Sequence, residues 1–444
     1  MDTTPISRVT AGARLDRLPI VSVHRTVMWL LGFCFFFELG DINTFAFAAP
    51  AIRAQWNVPI ETIRNVTSAT FIGMFIGAAT GGRIADTIGR KRALVLATLW
   101  FSAFSLLNAI VWEPYGLFFA RLLTGIGLSA MTAIGITYVA EMFPARARGT
   151  YQGWVMFIGL CGIPAAAIVA LIVIPMFPSG WRFVFLWGSI GLIFPFLATK
   201  LEESPRWLER RGRFAEADAI LARMERKAEE ELRGALPAPA SSNTVPREGK
   251  FSELFAAKTR SRTFMLMAAW AFQTLGFYGF SAWVPTLLVE RGFPLVESLA
   301  WTTSMQLLAP FGALLAAYVS DRFDRKWSIT VVALLTAASG FAYGASFEVF
   351  GIVLFGGLMI LFFQCFAPML YAYTAECFPT EIRSTGTGFT YGMGRLSNAV
   401  GPFVVAYLFT QYGYQSVFVY IGLCWILVAV AVGFVGPKTK GHQL

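Results

Sequence analysis

One short stretch of sequence occurs twice in this chain. It reads Tyr138-Val-Ala-Glu-Met-Phe-Pro144 in the first half and returns 235 residues later as Tyr373-Thr-Ala-Glu-Cys-Phe-Pro379. The same offset relates Asp86-Thr-Ile-Gly-Arg-Lys91 to Asp321-Arg-Phe-Asp-Arg-Lys326. A single offset that aligns features so far apart indicates an internal duplication. The chain is therefore expected to contain two structurally equivalent halves.

The composition indicates the solvent in which these halves fold. The chain has 444 residues, of which 56% are apolar and only 14% charged. Soluble proteins carry about 25% charged residues. These proportions argue against aqueous globular, nucleic-acid-binding and disordered proteins and indicate an integral membrane protein. We therefore expect contact with the lipid bilayer and none with nucleic acid.

Twelve apolar stretches are long enough to cross a bilayer, whose core of about 30 Å needs roughly 20 residues of helix. Their approximate limits are 26–50, 62–85, 92–112, 114–138, 150–175, 182–199, 264–288, 296–319, 327–346, 349–374, 385–409 and 414–436. The sequence thus predicts an all-α membrane protein with twelve transmembrane helices in two six-helix pseudo-repeats. In such repeats, substrate binds near the midplane and one half rocks against the other.

Charge placement predicts the orientation. An even number of spans puts both termini on one side, and 30 of the 36 Lys and Arg residues fall on that side. Cytoplasmic loops carry such an excess of basic residues. Both termini are therefore expected in the cytoplasm, with the protein in a bacterial inner (plasma) membrane.

The predicted domains are an N-terminal six-helix half at 1–199, a cytoplasmic linker at 200–262 and a C-terminal six-helix half at 263–444. The linker begins with a basic, amphipathic segment, Pro205 to Arg233. Its next part, Leu236 to Pro246, is rich in Pro, Ala and Ser and is typical of a flexible connection.

Ionisable side chains inside a membrane are costly and therefore functional candidates. Glu38 and Asp41 lie in the first span, three residues apart, and share one helical face. Two neighbouring carboxylates in a low dielectric cannot both ionise cheaply, so one is expected to hold a proton. This pair is the predicted proton carrier, with Arg121 as a structural or proton-relay partner. The alternative is a helix cap or a fixed ion pair with Arg121 or Arg395.

Arg395 is the candidate anion site. It lies ten residues into the eleventh predicted span, about 15 Å deep at 1.5 Å per residue. Its guanidinium stays charged at physiological pH and offers a planar pair of donors that fits a carboxylate. The alternative is a permanent bridge to Glu38 or Asp41, and the two arrangements can alternate during a transport cycle.

Other residues in the spans could complete a substrate site. Aromatic rings near polar groups can stack on a planar substrate, while amides can equally form hydrogen bonds between helices. Gln273 occupies the position of the second half that corresponds to Glu38. The predicted substrate-binding set is Arg395, Gln273, Phe277, Tyr278, Trp283, Gln306, Gln364, Tyr391 and Asn398.

The repeated loop motifs place opposite charges at helix ends on the cytoplasmic side. Such charges could hold the two halves together and release them when the halves move. The alternative is that they only anchor the topology. The predicted gate residues are Asp86, Arg90, Lys91, Glu141, Arg148, Asp321, Arg325, Lys326, Glu376 and Arg383.

These motifs resemble the major facilitator superfamily over essentially the whole chain. Gly82 to Lys91 is similar to its helix 2–3 signature, and Arg121 to Gly127 to its helix 4 signature. Glu141-Met-Phe-Pro-Ala-Arg146 and Glu203-Ser-Pro-Arg-Trp-Leu208 resemble the sugar-porter-like branch.

Within that branch, four further stretches resemble bacterial nicotinate permeases and synaptic-vesicle-glycoprotein-2-like transporters. They are Phe37-Glu-Leu-Gly-Asp41, Tyr278-Gly-Phe-Ser-Ala-Trp-Val-Pro285, Leu370-Tyr-Ala-Tyr-Thr-Ala-Glu376 and Gly394-Arg395. The resemblance implies proton-coupled uptake of a small aromatic or heterocyclic acid, driven by the proton gradient without a cofactor.

The leading hypothesis is therefore a proton symporter for an organic anion such as nicotinate, acting as a monomer. An uncoupled or proton-coupled sugar or polyol transporter is the alternative, and a membrane receptor that transports nothing is a third. The sequence shows no nucleotide-binding loop, nucleophile–base pair or metal-ligand spacing, so we expect neither an enzyme nor a metal site.

Overall fold

The computed structural model describes residues 9–239, 250–379 and 381–439, without the side chains of Asp321 and Ser384. Within these residues the chain forms twelve long helices and no β-strand. They are α1 (Ser22–Trp56), α2 (Ile60–Ile88), α3 (Arg90–Ile110), α4 (Pro114–Met142), α5 (Arg148–Val173), α6 (Trp181–Lys200), α7 (Arg260–Ser281), α8 (Leu295–Ser320), α9 (Arg325–Ala345), α10 (Val349–Glu376), α11 (Arg383–Tyr412) and α12 (Tyr414–Val435). The predicted twelve-helix fold is confirmed.

Several of these helices are irregular. A short helix, Val284–Glu290, continues α7 after a break, and α8 is interrupted between Gln306 and Ala309. A π-helical turn at Ala431–Val435 closes α12. Outside the membrane helices lie short helices at Ala11–Asp16 and Pro205–Arg210, the longer Phe214–Leu232, and a 3₁₀ turn at Phe251–Phe255.

Nine of the twelve described helices are long and apolar enough to cross a bilayer by composition alone. The other three, α2, α7 and α11, are more polar. They carry buried groups such as Thr67 and Ser68, Gln273 and Arg395. Because α2 packs against α11 where the two halves meet, the polarity of these helices belongs to the interface between the halves rather than to the lipid.

Each half is tightly packed at glycine contacts. A methyl group at Gly73 of α2 would collide with the carbonyl oxygen of Leu122 in α4, and one at Gly125 of α4 would collide with the carbonyl of Thr70 in α2. Small residues allow such close backbone approach between membrane helices. Gly73 and Gly125 therefore allow α2 to pack closely against α4 within the first half.

We call the side of the bundle that carries Ala11–Asp16 and Pro205–Leu232 the terminal face, and the opposite side the distal face. Side-chain contacts join the two halves from the middle of the bundle to the distal face. Arg53 at the end of α1 forms an ion pair with Glu290, and Ser68 donates to the carbonyl of Ala399 at 2.6 Å. The rings of Phe71 and Tyr278 meet at 4.7 Å between their centroids. The halves are therefore closed together on the distal side.

The segment predicted as a linker belongs in part to the first half. Ala11–Asp16 packs on its helix Phe214–Leu232 through Arg14, which contacts Asp218 at 2.9 Å and Glu225 at 2.7 Å. Partial burial of Glu225 opposes ionisation, but hydrogen bonds from Arg14 and Arg17 outweigh it and lower the pKa of this carboxyl. In contrast, Leu254 of the turn Phe251–Phe255 packs in the core of the second half.

Residues 240–249, which include most of the predicted flexible connection, lie outside the described residues. The division of the chain at 199 and 263 stays a prediction.

The start of α3 depends on a glycine and a carboxylate. Gly89 has φ +103°, a value that favours glycine. The Glu203 carboxylate accepts from the backbone N–H groups of Arg90 at 2.8 Å and Lys91 at 3.1 Å. A negative group at a helix N-terminus satisfies free N–H groups and complements the helix dipole.

We expect Gly89→Ala to lower the free energy of unfolding by about 1–3 kcal/mol, the typical cost of an unfavourable backbone conformation. The new methyl group would also collide with Glu203. Thermal unfolding in detergent micelles measures the effect. Gly82→Ala is the matched control, because a methyl group there meets no atom within 4 Å. Equal melting temperatures for the two variants would contradict this account of the turn.

Candidate functional site

Asp41 of α1 is fully buried inside the first half. Its carboxylate lies 3.5 Å from a guanidinium nitrogen of Arg121 in α4 and accepts a hydrogen bond from Ser105 in α3. Thr44, one turn away, donates to the backbone carbonyl of Asp41 at 2.7 Å. The charge of Asp41 is thus balanced by partners from one half, as in the fixed ion pair considered for this residue.

Glu38, one turn earlier, has different surroundings. It is 1% exposed, and one carboxylate oxygen accepts from the hydroxyl of Thr132 in α4 at 2.6 Å. The other oxygen, Oε2, is buried with no hydrogen-bond partner among the described residues. Although they share a face of α1, the two carboxylates therefore have separate partners. Each has one oxygen without a hydrogen bond in the described chain, and Oδ2 of Asp41 lies 3.5 Å from the guanidinium of Arg121.

Arg395 of α11 lies opposite, in the second half. Its Nε donates to the hydroxyl of Tyr391 at 2.8 Å, and one terminal nitrogen is 3.8 Å from the sulfur of Met74. The phenols of Tyr278 and Tyr371 are also close enough to act on its charge. Over the described parts of the chain, no carboxylate lies within 4.0 Å of this guanidinium. Glu38 is farther away but remains within electrostatic range.

Aromatic rings surround Arg395. Trp270 of α7 packs on Tyr391 and Tyr371 with ring centroids 5.1 and 4.7 Å apart. On another side, Phe277 and Phe71 each lie 4.7 Å from the ring of Tyr278. The result is a positively charged group set among planar, largely apolar surfaces.

The predicted polar residues are all buried, but they differ in how many of their polar atoms have hydrogen-bond partners in the described chain. Asn398 is 1% exposed, and neither of its amide atoms has a partner in the described chain. Gln273 is buried, and its carbonyl oxygen is similarly unpartnered. Gln306 and Gln364 are also buried. Trp283 packs in the hydrophobic core of the second half, and its role at the substrate site stays a prediction.

Three site residues were not predicted. Thr132 lies eleven residues after Arg121, about three helical turns, so both residues lie on the same face of α4. That face contacts α1 at Asp41 and Glu38. The spacing could have revealed Thr132. Trp270 lies one helical turn before Gln273, and Tyr371 lies two residues before Tyr373 of the repeated motif. These positions could have revealed both residues.

A small cavity of about 20 Å³ lies beside this region. It is lined by residues of α1, α2, α4 and α7, among them Asn43, Thr70, Arg121 and Tyr278. A cavity needs about 10–15 Å³ to hold a water molecule. It therefore has room for about one water between Arg121 and the interface of the halves.

The predicted gate residues pair differently from our expectation. Arg90, 3% exposed, contacts Asp86 at 2.6 Å and Glu141 at 3.0 Å, all within the first half. The equivalent pair of the second half is Arg325 with Glu376. The predicted attraction between halves is thus replaced by ion pairs inside each half, because the repeat supplies both charges to the same half.

The remaining gate residues have other contacts in the described chain. Arg148 contacts Asp16 at 3.4 Å rather than Glu141, and Arg383 donates to the carbonyl of Phe378 at 3.4 Å. The backbone N–H of Lys91 is bound by Glu203, and that of Lys326 by Asp324. The side chain of Asp321 lies outside the described residues.

The sequence of this chain matches a known protein family. Residues 25–444 match the sequence model of the family described as sugar (and other) transporter. The chain belongs to this family. The sugar transporter family lies within the major facilitator superfamily, as the resemblance of the motifs implied, and its members are transporters rather than enzymes.

Relatives of this transporter span almost its whole length. A putative metabolite transport protein of Bacillus subtilis (strain 168), YyaJ, is 45% identical, with 100% of this chain and 98% of the relative covered. The inner membrane metabolite transport protein YdjE of Escherichia coli (strain K12) is 31% identical over 98% and 97%. The niacin transporter NiaP of Acinetobacter baylyi is 29% identical over 97% and 98%.

A solved structure has the same fold. The xylose transporter XylE from E. coli, in a partially occluded inward-open conformation, matches with a TM-score of 0.78 at 18% identity. The match covers 95% of this chain and 100% of that one.

We expect Glu141→Ala to destabilise this transporter by about 3 kcal/mol, because it would leave the buried guanidinium of Arg90 with only the more exposed Asp86. Thermal unfolding in detergent measures the loss. Glu216→Ala is the control, since its pair with Arg213 is exposed and such pairs contribute little. If both variants unfold like the wild type, the buried network does not hold the terminal face together.

Proposed function

We propose that this transporter is a proton-coupled symporter that imports a small aromatic or heterocyclic carboxylate, such as nicotinate, by alternating access. The observation that carries this proposal is the buried guanidinium of Arg395, which has no carboxylate within 4.0 Å in the described chain. A buried charge without a counter-charge is costly. An anionic substrate would supply the missing partner.

The donors of Arg395 favour a carboxylate over other anions. Tyr391 already engages Nε and one terminal nitrogen, and in the described chain the other terminal nitrogen lies 3.8 Å from the weakly accepting sulfur of Met74. A carboxylate binds a guanidinium with charge-assisted hydrogen bonds that are roughly twice as strong as neutral ones. Substrate could therefore replace the sulfur contact without disturbing the tyrosine.

The rings around Arg395 favour a planar substrate. Tyr391, Tyr371 and Tyr278 place aromatic faces and edges about the guanidinium. Aromatic pairs gain about 0.5–1.5 kcal/mol beyond the burial of their surface. The name of the relative NiaP, a niacin transporter, supports an aromatic heterocyclic acid as the substrate.

Alternating access would use the division of contacts between the two faces. Contacts such as Arg53 with Glu290 join the halves on the distal side, whereas Arg90–Glu141 and Arg325–Glu376 strengthen each half separately on the terminal side. The excess of Lys and Arg on the terminal face supports a cytoplasmic location for that face. We propose the bacterial inner membrane as the site of action.

A sugar or polyol transporter, uncoupled or proton-coupled, is the second candidate. Both amide atoms of Asn398 and the carbonyl oxygen of Gln273 have no hydrogen-bond partner among the described residues, and this favours the second candidate because hydroxyl-rich ligands would satisfy them. Uptake of a sugar, with no competition from aromatic acids, would support this candidate over the first.

We expect Arg395→Ala to weaken nicotinate binding by about 30-fold or more. Losing one partner of a desolvated charge pair costs about 2–5 kcal/mol, and about 1.4 kcal/mol corresponds to a factor of ten. Arg395→Lys should recover only part of the affinity, because lysine keeps the charge but loses the planar donor pair. Binding is measured by tryptophan fluorescence or calorimetry on purified protein.

Nicotinamide distinguishes the two roles of Arg395. The uncharged amide should bind the wild type weakly and respond little to Arg395→Ala. Arg64→Ala is the control variant, since Arg64 stacks on Phe403 near the distal face and should leave the preference for acid over amide unchanged. Equal loss of acid and amide would make Arg395 a structural residue and remove the main support for an organic anion.

A further inference from the structure

We infer that the turn Phe251–Phe255 and the start of α7 form a binding surface for anionic phospholipid in the membrane leaflet on the terminal side. The phosphate of the headgroup would bind the cations of this surface, and the acyl chains would lie against its exposed aromatic rings. The surface is separate from the substrate site at Arg395 and does not depend on which substrate is transported.

The turn is fixed to the start of α7. Leu254 is fully buried in the core of the second half, and its backbone carbonyl accepts from the hydroxyl of Thr263 at 2.7 Å. The hydroxyl of Thr259 donates to the backbone carbonyl of Glu253. The turn is therefore a packed part of the second half, and the side chains that it exposes are held in place.

Four phenylalanine rings form one cluster at this position. The ring centroid of Phe251 lies 5.3 Å from that of Phe389 in α11, and the centroid of Phe255 lies 5.9 Å from that of Phe264 in α7. The rings of Phe251, Phe255 and Phe264 are nevertheless exposed. Interfacial segments place such apolar side chains at the boundary between headgroups and acyl chains. The cluster lies at the first turns of two membrane helices, where this boundary is expected.

Three cations accompany the rings. Lys250 directly precedes the turn, Lys258 and Arg260 follow it, and all three are exposed. Over the described parts of the chain, no carboxylate lies within 4.0 Å of any of them. Basic residues near a membrane surface are attracted to anionic headgroups. The surface therefore fits an anion that is attached to an apolar chain, and a phospholipid has this chemistry.

The first half has a protein segment at the equivalent position. Arg25, the repeat counterpart of Arg260, contacts Glu231 of the helix Phe214–Leu232 at 3.1 Å. Arg17, in the stretch that corresponds to the turn, forms an ion pair with the same helix. Arg260 has no such carboxylate among the described residues. The anion that balances this position in the second half would therefore come from the lipid.

The affinity is tested on delipidated, purified protein with two lipids that differ in headgroup charge, anionic phosphatidylglycerol and zwitterionic phosphatidylcholine. Native mass spectrometry measures the dissociation constant of the first lipid bound. Phosphatidylglycerol should bind more tightly, by about fivefold for each cation that it contacts. Equal affinities for the two lipids would overturn the inference. Displacement of phosphatidylglycerol by inorganic phosphate at equal concentration would identify a site for a soluble anion instead and would also overturn it.

Substitutions locate the binding surface. Lys258→Gln and Arg260→Gln should each weaken the binding of phosphatidylglycerol about fivefold, and Phe255→Ser should weaken the binding of both lipids. Arg226→Gln is the control for charge, because Arg226 is an exposed cation elsewhere on the terminal face. Phe350→Ser is the control for an exposed ring, since Phe350 lies at the start of α10 on the distal face. An equal loss in the controls would make lipid attraction a property of the whole surface and remove this site.

A photo-reactive benzoylphenylalanine in place of Phe255 identifies the occupant in bacterial membranes. The expected product after illumination is the protein chain with the added mass of one phospholipid. A cross-link within the chain would mean that a protein segment covers the rings, and a cross-link between two chains would mean that a second copy does. Either product in place of the lipid adduct would overturn the inference. None of these measurements uses nicotinate, so this inference and the proposed function can fail separately.

Discussion

A charge buried in a bilayer must be balanced by another group, because no water is available to solvate it. This transporter balances two buried arginines in different ways. Arg121 is neutralised by Asp41 inside one half, so the pair can remain intact in every conformation. Arg395 lies where the halves meet and has only tyrosine hydroxyls and a sulfur as near partners in the described chain. The pair of Arg121 and Asp41 stabilises the first half. In the described chain, the charge of Arg395 is balanced only by groups that lie between the two halves.

The same division extends to the surface of the bundle. On the terminal face, the buried guanidinium of Arg90 is shared by Asp86 and Glu141, and Arg325 pairs with Glu376. These pairs make each half more rigid without tying it to the other. At the middle and the distal side, the halves meet through packing of α2 on α11 and of α5 on α8, and through contacts such as Ser68 with Ala399. Ion pairs that strengthen each half from within suit the rigid-body rocking of such repeats.

Much of the fold could be predicted because bilayer thickness restricts the length of each span and because the internal repeat requires equivalent helices in the two halves. Three helices, α2, α7 and α11, are less apolar, and the repeat supported them where hydropathy was weak. The limits were less accurate: α1 extends from Ser22 to Trp56, beyond the predicted 26–50, because a helix can continue outside the bilayer core. The charged residues of the site were found since charge in a span is rare. Thr132, Trp270 and Tyr371 were missed because such residues are equally common on surfaces that face lipid.

The two halves are more alike in how their helices pack than in the charged residues that they carry. Gly40 of α1 lies against the indole of Trp187 in α6, and Gly276 of α7 lies in the same way against Trp425 in α12. Each glycine thus admits a large ring from the last helix of its half. Where the first half has the acid Glu38, however, the second has the neutral Gln273, and the free cation Arg395 occurs only in the second half of the described chain. Duplication therefore supplied a symmetric frame that can alternate between two states. The unequal charges on that frame leave one buried cation where the halves meet, since a site with identical halves would place like charges opposite each other.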